Sequence, residues 1–172
     1  TAVKVPFFTG APLGPVVVNR VHPRIVEARM RKLLVSACIN PLTALYRIPN
    51  GMVCEPPYAQ YLSTLATEGA AILRAEGVDI DDRSAIELVC GVARATAQNR
   101  SSMLQDVELG RRTEVDEING AVVRIARSKL KREAPVNARL AEAVRRLAPQ
   151  GAGAVVRTVN PGGSISINLE SR

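Results

Sequence analysis

Apolar positions recur with a helical period through most of the chain. Ile25, Ala28, Met30, Leu33, Leu34, Ala37 and Cys38 follow the three-and-four spacing of a helix face, so a helix is predicted from about His22. Pro23 falls in its first turn, where a missing N–H costs nothing. Pro41 has no N–H to return to Ala37, which predicts a kink or an end there, with the turn LTAL continuing beyond it. The tripeptide 49-PNG-51 is a turn signal. Leu62, Leu65, Ala66, Ala70 and Leu73 mark a helix from about Tyr58 to Glu76, preceded by Pro56 and Pro57 and stopped by Gly77. Asp81, Asp82 and Ser84 offer N-caps to a helix from about Arg83 to Asn99. Residues 100–114 read as a partly helical loop. Thr113 followed by Asp116 is a capping-box signal for a helix from about Glu114 to Lys129, and Pro135 opens another to about Leu147.

The ends differ from the middle. Residues 1–19 hold three prolines and two glycines around short β-branched runs and read as an extended lead-in. The tail from Pro149 is rich in Gly, Asn and Ser, with a strand expected over 153–159. The expected organisation is a helical domain over 20–148, flanked by a lead-in at 1–19 and a tail at 149–172. The fold class is all-α, a helical bundle with short extended segments at both ends.

Within 31-RKLLVSACINPLTAL-45, three polar residues break an otherwise apolar helix. Lys32, Ser36 and Asn40 stand four apart, so they form one row along the helix. A helix apolar on most of its circumference is a buried one. A lysine on it must reach solvent along its stem or face a polar cavity. The plain reading is a rim lysine with Ser36 and Asn40 bonded to nearby backbone. The functional reading is a substrate cleft, in which Lys32 protonates a developing alkoxide and stabilises its charge. A second polar cluster, 101-SSMLQDVELGRRTEVDEING-120, places Glu114 at a helix N-terminus, where the helix dipole favours a carboxylate. It reads either as a surface cap or as the opposite side of the same cleft.

Composition narrows the classes. The chain has 172 residues, 47% hydrophobic and 23% charged, which suits one globular domain. No apolar run approaches the roughly 20 residues that cross a bilayer. The first residue is Thr1 and not Met, so a preceding segment is expected to have been removed or left out. The net charge of +7, clustered at 127–133 and 145–146, suits an anionic partner, either nucleic acid or a phosphate-bearing cofactor, and equally a solvated basic face. Aromatic residues at 3% with no Trp argue against single-strand binding by stacking. Cys38, Cys54 and Cys90 form no CxxC pair and are expected as free thiols, Cys38 and Cys90 in apolar settings. With the lone His22 they make no recognisable metal site. Free thiols suit the cytoplasm or the mitochondrial matrix.

The segments KLLVSACINPLTAL, PNG, SSMLQDVELGRRTEVDEINGAVV and APVNARL, in this order and spacing, resemble the C-terminal helical domain of ketopantoate reductase (2-dehydropantoate 2-reductase) over roughly residues 20–148. The resemblance implies a helical domain like the C-terminal domain of 6-phosphogluconate dehydrogenase. It implies NADPH-dependent reduction of ketopantoate to pantoate, on the route to coenzyme A. By position, Lys32 resembles the catalytic lysine and Glu114 the carboxylate that orients substrate. Asn40, Asn50 and Ser102 match substrate-binding positions. Ser36 stands where the family usually has asparagine, so it reaches less far and leaves substrate identity open. The family's Rossmann domain, with its GxGxxG turn, has no counterpart in this sequence. The resemblance therefore implies a Rossmann partner in cis or in trans, NADPH bound mainly there, and no turnover by this chain alone. It also makes a homodimer plausible. Two alternatives stay open: a helical domain reused as a non-catalytic binding or structural part, for example of a ribonucleoprotein, and a reductase of another 2-oxo acid.

Overall fold

The computed structural model describes residues 23–147 and the backbone of two short strands. The order is α1 Pro23–Tyr46, a 3-10 turn Asn50–Cys54, α2 Ala59–Ala75, α3 Asp82–Ala95, α4 Ser102–Glu108, α5 Val115–Ile125 and α6 Pro135–Leu147. A single π-helical turn, Ala126–Leu130, extends α5. The strands β1 Val156–Val159 and β2 Ile165–Asn168 pair antiparallel, with Val156 opposite Asn168 and Val159 opposite Ile165. The body is all-helical, as the periodicity predicts. The expected strand is present over its last four residues, and its partner strand was not anticipated. The extended lead-in 1–19 lies outside the described residues, as do residues 153–155.

Helix α1 touches every other helix, which explains why its apolar residues are not confined to one stripe. Leu34, Cys38 and Leu42 pack with Leu62, Leu65 and Leu73 of α2 and Val89 of α3. Roughly a quarter-turn away on the helix, Ala37 packs with Ile72 and Val122. Two turns on, Ala44 meets Met103, Val115 and Val144. Lys32, Ser36 and Asn40 take the remaining side.

Pro41 does not end α1: the turn LTAL continues past it, as expected, and the helix runs five residues on to Tyr46. The physical reason lies on α5. Proline removes the donor that would satisfy the Ala37 carbonyl, and the Asn119 side-chain amide donates to that oxygen instead, at 2.9 Å. The same Nδ2 also donates to Asn137 Oδ1 on α6, at 3.0 Å. Asn137 Nδ2 in turn donates to Glu68 Oε2 of α2, at 2.8 Å. The Glu68 carboxylate further accepts the Val136 and Asn137 backbone N–H groups, at 2.9 and 3.0 Å. Glu68 thus caps the first turn of α6 from a neighbouring helix. Asn119 and Asn137 are almost fully buried, so each bond replaces water that cannot enter.

The other ends follow local rules. Asp81 caps α3 by accepting from Ser84 N at 2.6 Å, as its sequence signal predicts. Gly77, at φ +82°, closes α2: its N–H bonds Arg74 O and the Val78 N–H bonds Leu73 O, a Schellman ending. The capping box expected at Thr113 does not form. Thr113 turns inward, with its Oγ1 buried and unpartnered among the described residues, and α5 starts one residue later than expected, after Glu114. Asp116, the expected second half of that box, pairs with Arg145 of α6 at 2.7 Å.

Two predictions follow from these contacts. Asn119→Ala strips the Ala37 carbonyl and Asn137 Oδ1 of the donor that Asn119 gives them, and should cost about 2–3 kcal/mol in a urea unfolding titration; a loss under half a kcal/mol would show that Pro41 needs no such partner. Hydrogen bonds from the Ser84 backbone and then its side chain, with Arg83 and Arg74 nearby, hold Asp81 below the usual carboxylate range. Its folded value lies below its unfolded one, so its contribution is full above about pH 4 and fades as pH falls through the folded value. Asp81→Asn should therefore flatten the acid limb of stability against pH, and an unchanged limb would assign that limb to other carboxylates.

Candidate functional site

The row on α1 runs from solvent inward. Lys32 is exposed, while Ser36 and Asn40 are half-buried. Lys32 thus reaches solvent, one of the two outcomes expected for it: α1 is buried on the faces that meet other helices, and Lys32 stands on the one that does not. No buried ammonium needs compensation here.

Lys32 and Ser36 line a cleft of about 520 Å³ between α1 and the start of α5. Arg29 joins them from one turn earlier on α1, and α5 contributes Glu117 and the residue before its first turn, Glu114. Val26, Met30, Leu33, Ile118 and Ala121 supply apolar walls. Glu114 has φ −85° and ψ 22°, and its side chain caps nothing. Its carboxylate is thus left over for the cleft. Glu117 is held by Arg112 at 3.2 Å. Among the described residues, Arg29, Lys32 and Glu114 make no ion pair, so one free carboxylate and two free cations face the same apolar-walled space.

Asn40, Asn50 and Ser102 do not line this cleft. They gather further along α1. Asn40 O accepts from Thr43 Oγ1 at 2.9 Å, and Thr43 Oγ1 bonds the buried Ser101 Oγ at 2.6 Å. Ser101 is the N-cap of α4, accepting from Leu104 N, so exposed Ser102 begins that helix beside the Asn40–Thr43 turn. Asn50 N bonds Asn99 O at 2.9 Å, and its Nδ2 donates to Thr96 Oγ1 at 3.0 Å. Asn50 Oδ1 is buried without a partner among the described residues. The six sequence candidates thus divide into Lys32, Ser36 and Glu114 on the cleft, and Asn40, Asn50 and Ser102 around residues 96–102.

Arg29 and Glu117 were not singled out in the sequence. Helical spacing could have found both, since Arg29 stands three before Lys32 and seven before Ser36, and Glu117 stands three after Glu114. The basic clusters at 127–133 and 145–146 prove to be largely engaged within the fold. Arg127 pairs with Glu133, Lys129 with Glu76, Arg145 with Asp116 and Glu142, and Arg146 with Glu142. No helix among the described residues is long and apolar enough to cross a membrane.

Residues 24–148 match the family described as Ketopantoate reductase PanE/ApbA C terminal. The chain belongs to this family. The 2-dehydropantoate 2-reductase of Yersinia pestis is 41% identical over 125 residues, covering 73% of this chain and 40% of that protein. That of Archaeoglobus fulgidus is 45% identical over 94 residues, 54% of this chain and 31% of the relative. The chain therefore spans well under half the length of these relatives. Among solved structures, a PanE/ApbA family ketopantoate reductase from Ralstonia eutropha superposes with a TM-score of 0.62 at 30% identity, covering 70% of this chain and 40% of that one. D-mandelate dehydrogenase, in a ternary structure with NADH and anilino(oxo)acetate, shares the fold with a TM-score of 0.65 at 24% identity, over 72% of this chain and 52% of its own. The ketopantoate reductase C-terminal domain thus accounts for the helical body. The β1–β2 hairpin lies beyond the matched residues.

Because Lys32 and Glu114 are exposed and unpaired among the described residues, neither holds the fold together. Lys32→Ala and Glu114→Gln should each change unfolding free energy by less than about 0.5 kcal/mol, read by chemical denaturation. A loss of several times that would make them structural and undo the cleft assignment.

Proposed function

We propose that this chain is the substrate side of a reductase that turns a ketopantoate-like 2-oxo acid into its 2-hydroxy acid. The observation that carries this reading is the meeting of Lys32, on α1, and Glu114, at the head of α5, on one apolar-walled cleft. The substrate carboxylate is drawn to the Arg29 and Lys32 end. Its branched apolar part fits against Val26, Met30, Leu33 and Ile118. When the carbonyl carbon takes up hydride, negative charge grows on its oxygen. The Lys32 ammonium stabilises that charge and gives the proton that makes the hydroxyl, then regains one from solvent. Glu114 accepts a hydrogen bond from a substrate hydroxyl and so fixes which carbonyl face is presented. Ser36, between them, offers a short hydroxyl to the same substrate. In this reading Asn40, Asn50 and Ser102 form a separate polar group around residues 96–102, outside the cleft that holds the substrate.

The described residues do not fit a dinucleotide. They contain no parallel sheet and no glycine-rich turn from a strand into a helix, the arrangement that cradles a pyrophosphate. We therefore assign this chain the substrate side only. NADPH binding belongs to a Rossmann domain in cis or in trans.

In the reductase that carries this chain, Lys32→Ala should lower kcat for ketopantoate by ~10²–10⁴, with the unfolding midpoint unchanged. Glu114→Gln should raise KM more than it lowers kcat. An unchanged kcat in the lysine variant would remove Lys32 from the chemistry. A kcat lost in both variants together with the fold would return the cleft to a structural role.

A further inference from the structure

Cys54 closes the 3-10 turn Asn50–Cys54, and Cys90 lies within α3. They stand 36 positions apart in sequence, yet their Sγ atoms are 2.9 Å apart, with the Cys54 thiol donating toward Cys90. Both are half-buried and both are free thiols, whereas Cys38 is fully buried. The turn that carries Cys54 is firmly seated. Its first residues bond Asn99 O and Ala97 O, and the Asn50 amide bonds Thr96. It also lies so close that a Cβ on Gly51 would stand 2.8 Å from Ala97 Cβ. The two sulfurs are therefore held facing each other from both ends of the contact. A disulfide has its sulfurs at about 2.05 Å, so bonding requires an approach of less than about 1 Å.

We propose that Cys54 and Cys90 form a preassembled dithiol that a hydroperoxide oxidises to an intrachain disulfide. The two cysteines have different parts. Burial, then the hydrogen bond to Cys90, push the Cys54 thiol up to about 12, with Arg94 pulling the other way. Cys54 therefore keeps its proton and points it at the Cys90 sulfur, which is the attacking atom. Arg94 stands four residues after Cys90, on the same side of α3, and supplies positive charge beside the pair. Cys90 sulfur attacks the hydroperoxide oxygen. An S–O bond forms, the O–O bond breaks, and the Cys90 proton leaves with the departing oxygen as water or an alcohol. Cys54 sulfur then attacks the resulting sulfenic sulfur. The S–S bond forms, the S–O bond breaks, and the hydroxyl leaves as water with the Cys54 proton. Two thiols give up two electrons, and one hydroperoxide receives them. This inference stands apart from the reductase reading and uses none of its residues beyond the shared Asn50 turn.

The test treats the full chain with hydrogen peroxide and follows intact mass and non-reducing peptide maps. The expected result is a mass lower by two hydrogens, a Cys54–Cys90 linked peptide pair, and Cys38 still open to alkylation after unfolding. A dithiol reductant reverses the change, and the oxidised chain melts at a higher temperature than the reduced one. Cys54→Ser and Cys90→Ser should each abolish the two-hydrogen loss. Oxygen added to separate cysteines, a bridge that uses Cys38, a bridge between chains, or no change in mass would each overturn the proposal. The peptide map is read on the unsubstituted chain, so the result holds even if a serine variant fails to fold.

Discussion

A carbonyl without its usual donor, in the middle of the one helix that touches all the others, sets the constraint on this fold. Pro41 takes the N–H away from Ala37 O at a place where water cannot reach. An unmet buried carbonyl costs about 1–3 kcal/mol, enough to bend or end the helix. Asn119 meets it from α5. That solution creates a second demand, because a buried amide must itself be fixed in place. Asn137 accepts from it, and Glu68 holds Asn137 while capping α6. One missing hydrogen on α1 is thereby answered by a chain of side chains that ties α5, α6 and α2 together. Unlike apolar packing, these bonds have direction, so they fix the sliding and rotation of four helices and not merely their proximity.

The same contact sets the geometry of the cleft. Lys32 stands five residues before Ala37 on α1, and Glu114 stands five residues before Asn119, counting on to the α5 axis from its N-cap. Five helical residues rise about 7.5 Å, so Lys32 and Glu114 lie at similar distances from a single joint. Ile118, next to Asn119, is itself a wall of the cleft. The polar anchor below and the polar pair above are therefore two levels of one α1–α5 contact, and a shift at the lower level would move both Lys32 and Glu114.

The sequence made the helices legible because their apolar spacing is regular, and it made Asp81 and Gly77 legible because those ends are satisfied locally. It hid what depends on distant partners. Pro41 was readable as a disturbance of α1, but its remedy lies 78 positions further on, at Asn119, which looks like an ordinary polar residue on an amphipathic helix. Thr113 carried a correct local signal that lost to tertiary packing, since its hydroxyl is turned into the interior. The row Lys32–Ser36–Asn40 was readable as a line. That it runs from solvent to half-buried, and reaches the Glu114 cleft with its first two members only, required the positions of α4 and α5. The resemblance implies a joint role for Lys32 and Glu114, which periodicity leaves as one reading among two. The Cys54–Cys90 contact had no local signal at all, because it joins a turn to a helix across 36 positions.

The exposure of Lys32 says what its proposed chemistry requires. Two opposite charges 4 Å apart attract by about 1 kcal/mol in water and by about 4 kcal/mol at an effective dielectric of 20. An ammonium open to solvent would therefore favour an alkoxide over a neutral ketone only weakly, and water would compete for the proton transfer. For Lys32 to act as acid and anchor at once, the cleft has to be closed over during reaction. Its apolar walls and half-exposed Val26 make closure by a surface of matching apolar character favourable, since burying such area is worth roughly 25 cal/mol per Å². In the proposed reaction, the groups on α1 and α5 would therefore act most strongly once a second surface excludes water from the cleft.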